Sequence, residues 1–234
     1  RVIQLTRTLT SGAMYHVGFS AFSRLRDDPE RLRRSFIEAT QLSCLVGFAV
    51  AGLMVALANP LVTALFGPGW TLAGTLLQLL SIELFAGFFS MFFSASYRAM
   101  GRPGLVLWAS LAYLAVGVMG VLTFSWAGIV VVTVVWALRS FILMPLHLRF
   151  VEKVLRIPPH VLLEAVFPVA MASLLLIGVS SLVHELLAPR LFAMGALAVG
   201  GISGIAAYVA LVAVARRGIL LSGVRAIGAA VRRE

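Results

Sequence analysis

"RLRDDPERLRR", residues 24–34, packs five arginines and three acids into eleven positions. It is an exception in its own chain. Of the 234 residues only 12% are charged, and 61% are hydrophobic. A water-soluble domain of this size cannot hide so much apolar surface, so part of the solvent is lipid. Within the stretch, Asp28 is a helix N-cap candidate, Pro29 suits the first helical position and Glu30 suits the first turn. The run is a charged loop that ends one apolar segment and starts the next helix. A plain solvated loop is compatible with the same residues.

Working outward, stretches of about 20 apolar residues recur seven times, over residues 2–22, 36–58, 72–97, 105–124, 129–148, 161–183 and 191–215. Breaks are expected at Asn59–Pro60, Gly67–Pro68–Gly69, Gly101–Arg102–Pro103–Gly104, Pro158–Pro159 and Ala188–Pro189, where φ freedom or a missing N–H interrupts the ladder. Lipid cannot satisfy open strand edges, so every span is expected to be a helix. The fold class is all-α, a polytopic membrane helical bundle. The chain opens on Arg1 inside an apolar pattern without the signature of a cleaved leader. A preceding part of the protein is therefore expected.

Basic residues alternate from loop to loop. Arg24, Arg26, Arg31, Arg33 and Arg34 follow the first span. Arg98 and Arg102 follow the third, and Arg149, Lys153 and Arg156 the fifth. The second and fourth loops carry none, and the sixth has only Arg190. The positive-inside rule then places the quoted loop and the C-terminus in the cytoplasm. The tail 216–234 is basic, with Leu220, Val224, Ile227 and Val231 at helical spacing and Arg225 and Arg232 opposite. It reads as an amphipathic helix lying in the membrane interface, or else as a frayed continuation of the last span. Domain organisation is thus a transmembrane lobe, 1–215, and a cytoplasmic tail, 216–234.

The formal net charge of +10 would suggest nucleic acid in a soluble protein. Here the cations sit in alternate membrane loops with no interleaved aromatic surface, so no nucleic-acid partner is expected. Membrane lipids are. Cys44 is the only cysteine and reads as a small packing residue.

A charge inside the membrane costs on the order of 2.5–3.5 kcal/mol on insertion scales, so such residues need a cavity or a partner. In the first span Gln4, Arg7, Ser11 and Tyr15 share a stripe. Arg7 and Ser11 then line a wet cavity, unless Arg7 snorkels to the surface. His16 is a proton-relay candidate or a hydrogen-bonded packing residue. In the third span Glu83 heads one continuous face with Gly87, Ser90, Ser94 and Tyr97, bordered by Arg98. Glu83 is either a cavity residue and proton-relay candidate or a structural carboxyl. Arg139, midway in the fifth span and one turn after Trp136, pairs with a carboxylate such as Glu83 or binds an anionic ligand. No P-loop, zinc helix or nucleophile elbow is present. Neither a metal nor another cofactor is implied, and the protein reads as not an enzyme. Gly195, Gly200, Gly201 and Gly204 in the last span suit close helix–helix contact.

Three motifs, "FSAFSRLRDDPERLRRSF" (19–36), "NPLVTALFGPGW" (59–70) and "ASYRAMGRPGL" (95–105), occur in this order. Together they resemble the C-terminal half of the polysaccharide-transport branch of the multidrug/oligosaccharidyl-lipid/polysaccharide exporter superfamily. The resemblance spans nearly the whole chain. It departs from the family at Ser20, where a proline is usual, and in the second span, which lacks a common proline. It implies helices eight to fourteen of a two-lobed flippase, in agreement with the charge-derived topology. It implies alternating access, a lipid-linked oligosaccharide with a polyprenyl diphosphate as cargo, a missing N-terminal lobe, the bacterial inner membrane, and coupling to H+ or Na+. Arg7 and Arg139 would then face the diphosphate. A drug or cation exporter of the same superfamily and an integral-membrane glycan polymerase or ligase are the alternatives.

Overall fold

A computed structural model describes residues 22–25 and 28–215. The expected first span, with Arg7, Ser11 and His16, and the expected interfacial tail helix lie outside the described residues. Among those described, the regular elements are helices: α1 (Pro29–Phe66), α2 (Thr71–Phe89), α3 (Phe93–Ala99), α4 (Pro103–Phe124), α5 (Ile129–Ile142), α6 (Met144–Leu155), α7 (Pro159–Leu187) and α8 (Ala193–Ala215), with short 3-10 turns at Pro68–Trp70 and Ser125–Ala127. Six helical stretches are long and apolar enough to cross a membrane: Pro29–Phe66, Pro68–Ala99, Pro103–Ala127, Ile129–Leu155, Pro159–Leu187 and Ala193–Ala215. The protein is an all-α polytopic membrane bundle.

Local chemistry sets the boundaries. The Asp28 carboxylate accepts the Arg31 N–H at 3.1 Å and α1 begins at Pro29, as a capped start requires. Gly67 ends α1 at φ 91° and Gly101 precedes α4 at φ 69°; both sit in the left-handed region that glycine tolerates. α7 starts at Pro159, and α7 ends at Leu187 before Ala188–Pro189.

Three expectations about continuity need correction. Asn59–Pro60 is not a break, because α1 runs through Pro60 to Phe66. Pro60 removes one N–H from the ladder, but ending the helix there would strand several backbone groups in an apolar medium. In the turn that follows Pro60, the Thr63 hydroxyl lies 3.0 Å from the Asn59 carbonyl and 3.1 Å from the Pro60 carbonyl. Conversely, the third span is interrupted after Phe89. The Ser90 hydroxyl donates to the Ala86 carbonyl at 2.8 Å and Phe93 N–H turns back to Ser90 at 3.1 Å, a local bond that competes with the helical ladder. The fifth span breaks at Leu143, where Pro145 in the first turn of α6 has no N–H for the preceding turn.

The described residues form two compact units, those up to Ser43 with Leu79–Ala165, and Cys44–Gln78 with those from Val166 onward. In the first, Phe22, Phe36, Phe89, Phe92 and Phe93 are buried and their rings meet at 5.4–6.0 Å between centroids. Each such pair contributes about 0.5–1.5 kcal/mol beyond its area. Polar links join helix to helix within this unit. Ser43 Oγ donates to Phe88 O at 2.8 Å, Gln41 Nε2 to Ala165 O at 3.2 Å and Arg33 Nε to Leu155 O at 2.7 Å. The last satisfies a carbonyl at the end of α6 that the helix leaves open.

The second unit relies on small residues. A Cβ on Gly74 would lie 2.8 Å from Asn59 Cα, so α2 and α1 touch backbone to backbone there, and Asn59 Nδ2 donates to Thr75 Oγ1 at 3.2 Å. Gly200 and Gly204 meet α7: a Cβ would lie 3.0 Å from the Ser180 carbonyl in one case and 3.0 Å from the Leu176 carbonyl, in contact with Ser180 Oγ, in the other. Gly201 faces Leu53 and Leu57 at ordinary distance, whereas Gly195 touches only Phe192 on its own chain. The expected close contacts thus hold at Gly200 and Gly204. Tyr208 closes the unit by donating to Leu45 O at 2.6 Å.

Gly204→Ala is expected to destabilise the full-length protein in detergent by about 1–3 kcal/mol through overpacking. Gly178→Ala, on an open face with nothing within 4 Å, should be neutral or stabilising by up to about 1 kcal/mol. Thermal unfolding followed by circular dichroism compares the two, and equal effects would refute the packing assignment.

Candidate functional site

Within the first unit, three helices bring four polar side chains together. Glu83 lies on α2, Tyr113 on α4, and Arg139 and Ser140 on α5. Glu83 is twelve residues into α2, and Tyr113 and Arg139 are each ten residues into their helices. At 1.5 Å per residue these lie about 15–18 Å from the helix starts, inside stretches long enough to cross a bilayer core of about 30 Å, with Arg139 in the last turn of α5 before the break at Leu143.

Glu83 and Arg139 form an ion pair at 3.4 Å between Oε1 and Nη2, with side-chain exposures of 6% and 11%. The same carboxylate oxygen accepts the Tyr113 hydroxyl at 2.6 Å and lies 3.3 Å from Ser140 Oγ. The Tyr113 and Ser140 hydroxyls also touch each other. Two hydroxyl protons serve three oxygen–oxygen contacts, so one contact carries no proton at any moment. The arrangement can therefore switch between Ser140 donating to Tyr113 and Ser140 donating to Glu83 without moving a heavy atom.

The guanidinium is held between two aromatic faces. Its central carbon lies 3.5 Å from the Trp136 ring centroid and 4.3 Å from that of Tyr113. Cation–π attraction grows when the cation is desolvated. Gly117 on α4 makes the approach possible: a Cβ there would lie 3.1 Å from Arg139 Nη1 and 3.3 Å from Trp136. Arg139 Nε is buried and has no hydrogen-bond partner among the described residues. Among the described residues, the cluster thus pairs a buried carboxylate with Arg139, a cation with donor capacity beyond that carboxylate.

The structure brings together Glu83 and Arg139, the pairing that a buried cation in the fifth span requires. Of the other candidates among the described residues, none bonds to this cluster. The break after Phe89 divides the Glu83–Gly87–Ser90–Ser94–Tyr97 face between two helices, so the face is not one continuous helix surface. Ser90 is half-buried and bonded to its own helix, Ser94 is half-buried, and Arg98 is exposed at the end of α3. Tyr97 is buried and donates to His147 O at 3.1 Å. Sequence reasoning passed over Tyr113 and Ser140. The available signal was a single tyrosine in a fourth span whose other hydroxyls are Ser110 and Thr123, and a serine directly after the deepest arginine.

Removing one member leaves the other charge buried and uncompensated, which costs about 3–5 kcal/mol. Arg139→Gln alone is therefore expected to be strongly destabilising in the full-length protein, and Glu83→Gln likewise. The double variant Glu83→Gln/Arg139→Gln should recover most of that loss. A double-mutant cycle on the unfolding midpoint measures this, and simple additivity would refute the coupling.

The first third of the chain, residues 1–75, matches the family model described as "Polysaccharide biosynthesis protein". The matched segment includes the charged loop, α1 and the glycine turn after it, and ends before Glu83. No curated protein and no solved structure matches the chain. By its helices the protein is a multi-pass membrane protein, and in its first 75 residues it is similar to the polysaccharide biosynthesis protein family.

Proposed function

We propose that the protein is the C-terminal lobe of a flippase that moves a polyprenyl-diphosphate-linked oligosaccharide across the bacterial inner membrane by alternating access. The observation that carries the reading is the buried Arg139, held at 3.4 Å from Glu83 and stacked between Tyr113 and Trp136. An arginine kept deep in an apolar bundle by one carboxylate is a cation that a phosphate oxygen can recruit by competing with that carboxylate. Neutralising Glu83 with a proton would free the guanidinium for the anion in the same way. H+ is then the simpler coupling ion, with Na+ the other. In this reading an N-terminal lobe would supply the opposite wall. The family match to polysaccharide biosynthesis supports a role in surface polysaccharide, lipopolysaccharide or exopolysaccharide production. The protein acts as a carrier in this reading, not as an enzyme, because the connections Gly67–Trp70, Ser125–Gly128 and Ala188–Phe192 are only a few residues long. A glycan polymerase or ligase would need more. A cation exporter would need its ligand to displace Arg139 from both aromatic faces.

The compensated pair gives a clean test. The full-length Glu83→Gln/Arg139→Gln variant should accumulate normally yet leave the cell without surface polysaccharide, measured on isolated polysaccharide by gel and lectin staining. Wild-type polysaccharide from a normally accumulating double variant would mean that the pair is structural only. Loss of cationic-dye efflux instead would favour the exporter reading.

Sidedness has its own test. Gly69 and Gly104 both sit in open space, so cysteines are tolerated there, and native Cys44 is buried. Gly69→Cys should react with a membrane-impermeant maleimide on intact spheroplasts, and Gly104→Cys only after lysis. The reverse pattern would overturn the cytoplasmic placement of the basic loops and of the C-terminus.

A further inference from the structure

The first unit gathers exposed cations at one end, away from the buried pair. Arg33 Nε bonds Leu155 O at 2.7 Å, which sets the start of α1 against the end of α6. Tyr97 bonds His147 O, and its ring meets Phe150 edge-on at 6.2 Å, which sets the end of α3 against α6. Arg98 and Arg102 follow Tyr97 around the Gly101 turn, Arg149 precedes Phe150, and Lys153 lies one helical turn farther on. Arg156 ends α6 in the left-handed conformation at φ 55°. α6 is two-faced: Leu148, Val151, Val154 and Leu155 are buried, while Arg149, Glu152 and Lys153 are exposed.

These cations are not spent on the protein's own acids. Arg31 pairs with Asp28 and Arg34 with Glu38, both exposed pairs. Arg98, Arg102, Arg149, Lys153 and Arg156 are exposed and form no ion pair among the described residues. Among the described residues nothing encloses them: they are exposed and spread over the end of α3, the start of α4 and the last turns of α6, too open to close round a single free phosphate. A layer of phosphates is well matched to such a spread of long, mobile cations, since snorkelling side chains reach the headgroup level from just inside it.

We propose that this basic end of the first unit is a binding surface for anionic phospholipid headgroups. It selects phosphatidylglycerol-type lipids over zwitterionic ones by charge, through Arg98, Arg102, Arg149, Lys153 and Arg156 acting together. The proposal stands on charge and exposure in this unit and does not depend on what the protein transports.

The test uses the full-length protein purified in micelles containing equal phosphatidylglycerol and phosphatidylcholine, with retained lipids counted by native mass spectrometry. The wild type should retain phosphatidylglycerol several-fold over phosphatidylcholine, and the preference should shrink as salt rises, because exposed charges are screened. The variant R98Q/R102Q/R149Q/K153Q/R156Q should retain the two lipids equally. If that variant does not fold, R98Q/R102Q alone, confined to the turn between α3 and α4, should lose a measurable share of the preference. The charge-keeping R98K/R102K/R149K/R156K should retain it. Unchanged preference in the neutral variants overturns the proposal. So does loss in the lysine variant, which would indicate a shaped guanidinium site. So does displacement by millimolar inorganic diphosphate at constant ionic strength, which would indicate a free-phosphate site.

Discussion

Lipid offers no hydrogen bonds, and most of this chain follows from that constraint. Every backbone N–H and C=O inside the apolar layer must find its partner within the protein. The constraint explains why α1 passes through Pro60 to reach Phe66 when the same residue pair in water would be a natural stopping point. It also explains where helices are allowed to break. At the interruption after Phe89 the Ser43 hydroxyl from α1 bonds the Phe88 carbonyl, and short backbone bonds carry the chain across there and at Leu143. Helix ends that leave carbonyls open recruit side chains, as Arg33 does at Leu155.

The same medium governs the side chains. A lone Glu83 or a lone Arg139 would be driven toward neutrality or toward water, so the two are kept only as a pair with hydroxyl and aromatic support. The support is drawn from three helices, and no single helix could provide it. Trp136 stacks from one turn below Arg139, Tyr113 reaches in from α4, and Gly117 clears the space between. A buried ion pair of this kind is weak evidence for stability, because two apolar side chains of similar volume would pack as well or better. That such a pair is present in so apolar a bundle is what gives it functional interest.

Much of this was legible in residue order, for reasons that differ from case to case. The helical class follows from span length and composition, and the helix starts at Pro29, Pro103 and Pro159 follow from proline's fixed φ. The Glu83–Arg139 pairing was legible because a deep cation has few possible partners in a chain with so few acids. Tyr113 and Ser140 were not, because a hydroxyl in a membrane helix is compatible with its own i−4 carbonyl as easily as with a neighbour. Ser90 shows the ambiguity from the other side: its stripe position suggested a lining residue, and its hydroxyl is turned onto Ala86. Proline was misleading at Pro60 because helix-breaking preferences are calibrated on water as the competing partner.

The two units use different means of holding helices together, and the difference bears on function. The second unit closes through glycines and backbone contact, at Gly74 against Asn59 and at Gly200 and Gly204 against α7. Such contacts derive chiefly from shape and carry no ion pair among the described residues, so an anion has no direct hold on them. In the first unit the α2, α4 and α5 contact runs through one carboxylate, one guanidinium and two hydroxyls. Protonation or an incoming anion changes the energy of that contact directly, while leaving apolar packing untouched. If either unit responds to ligand, it is the first, since an equilibrium moves only where a ligand binds its two states unequally.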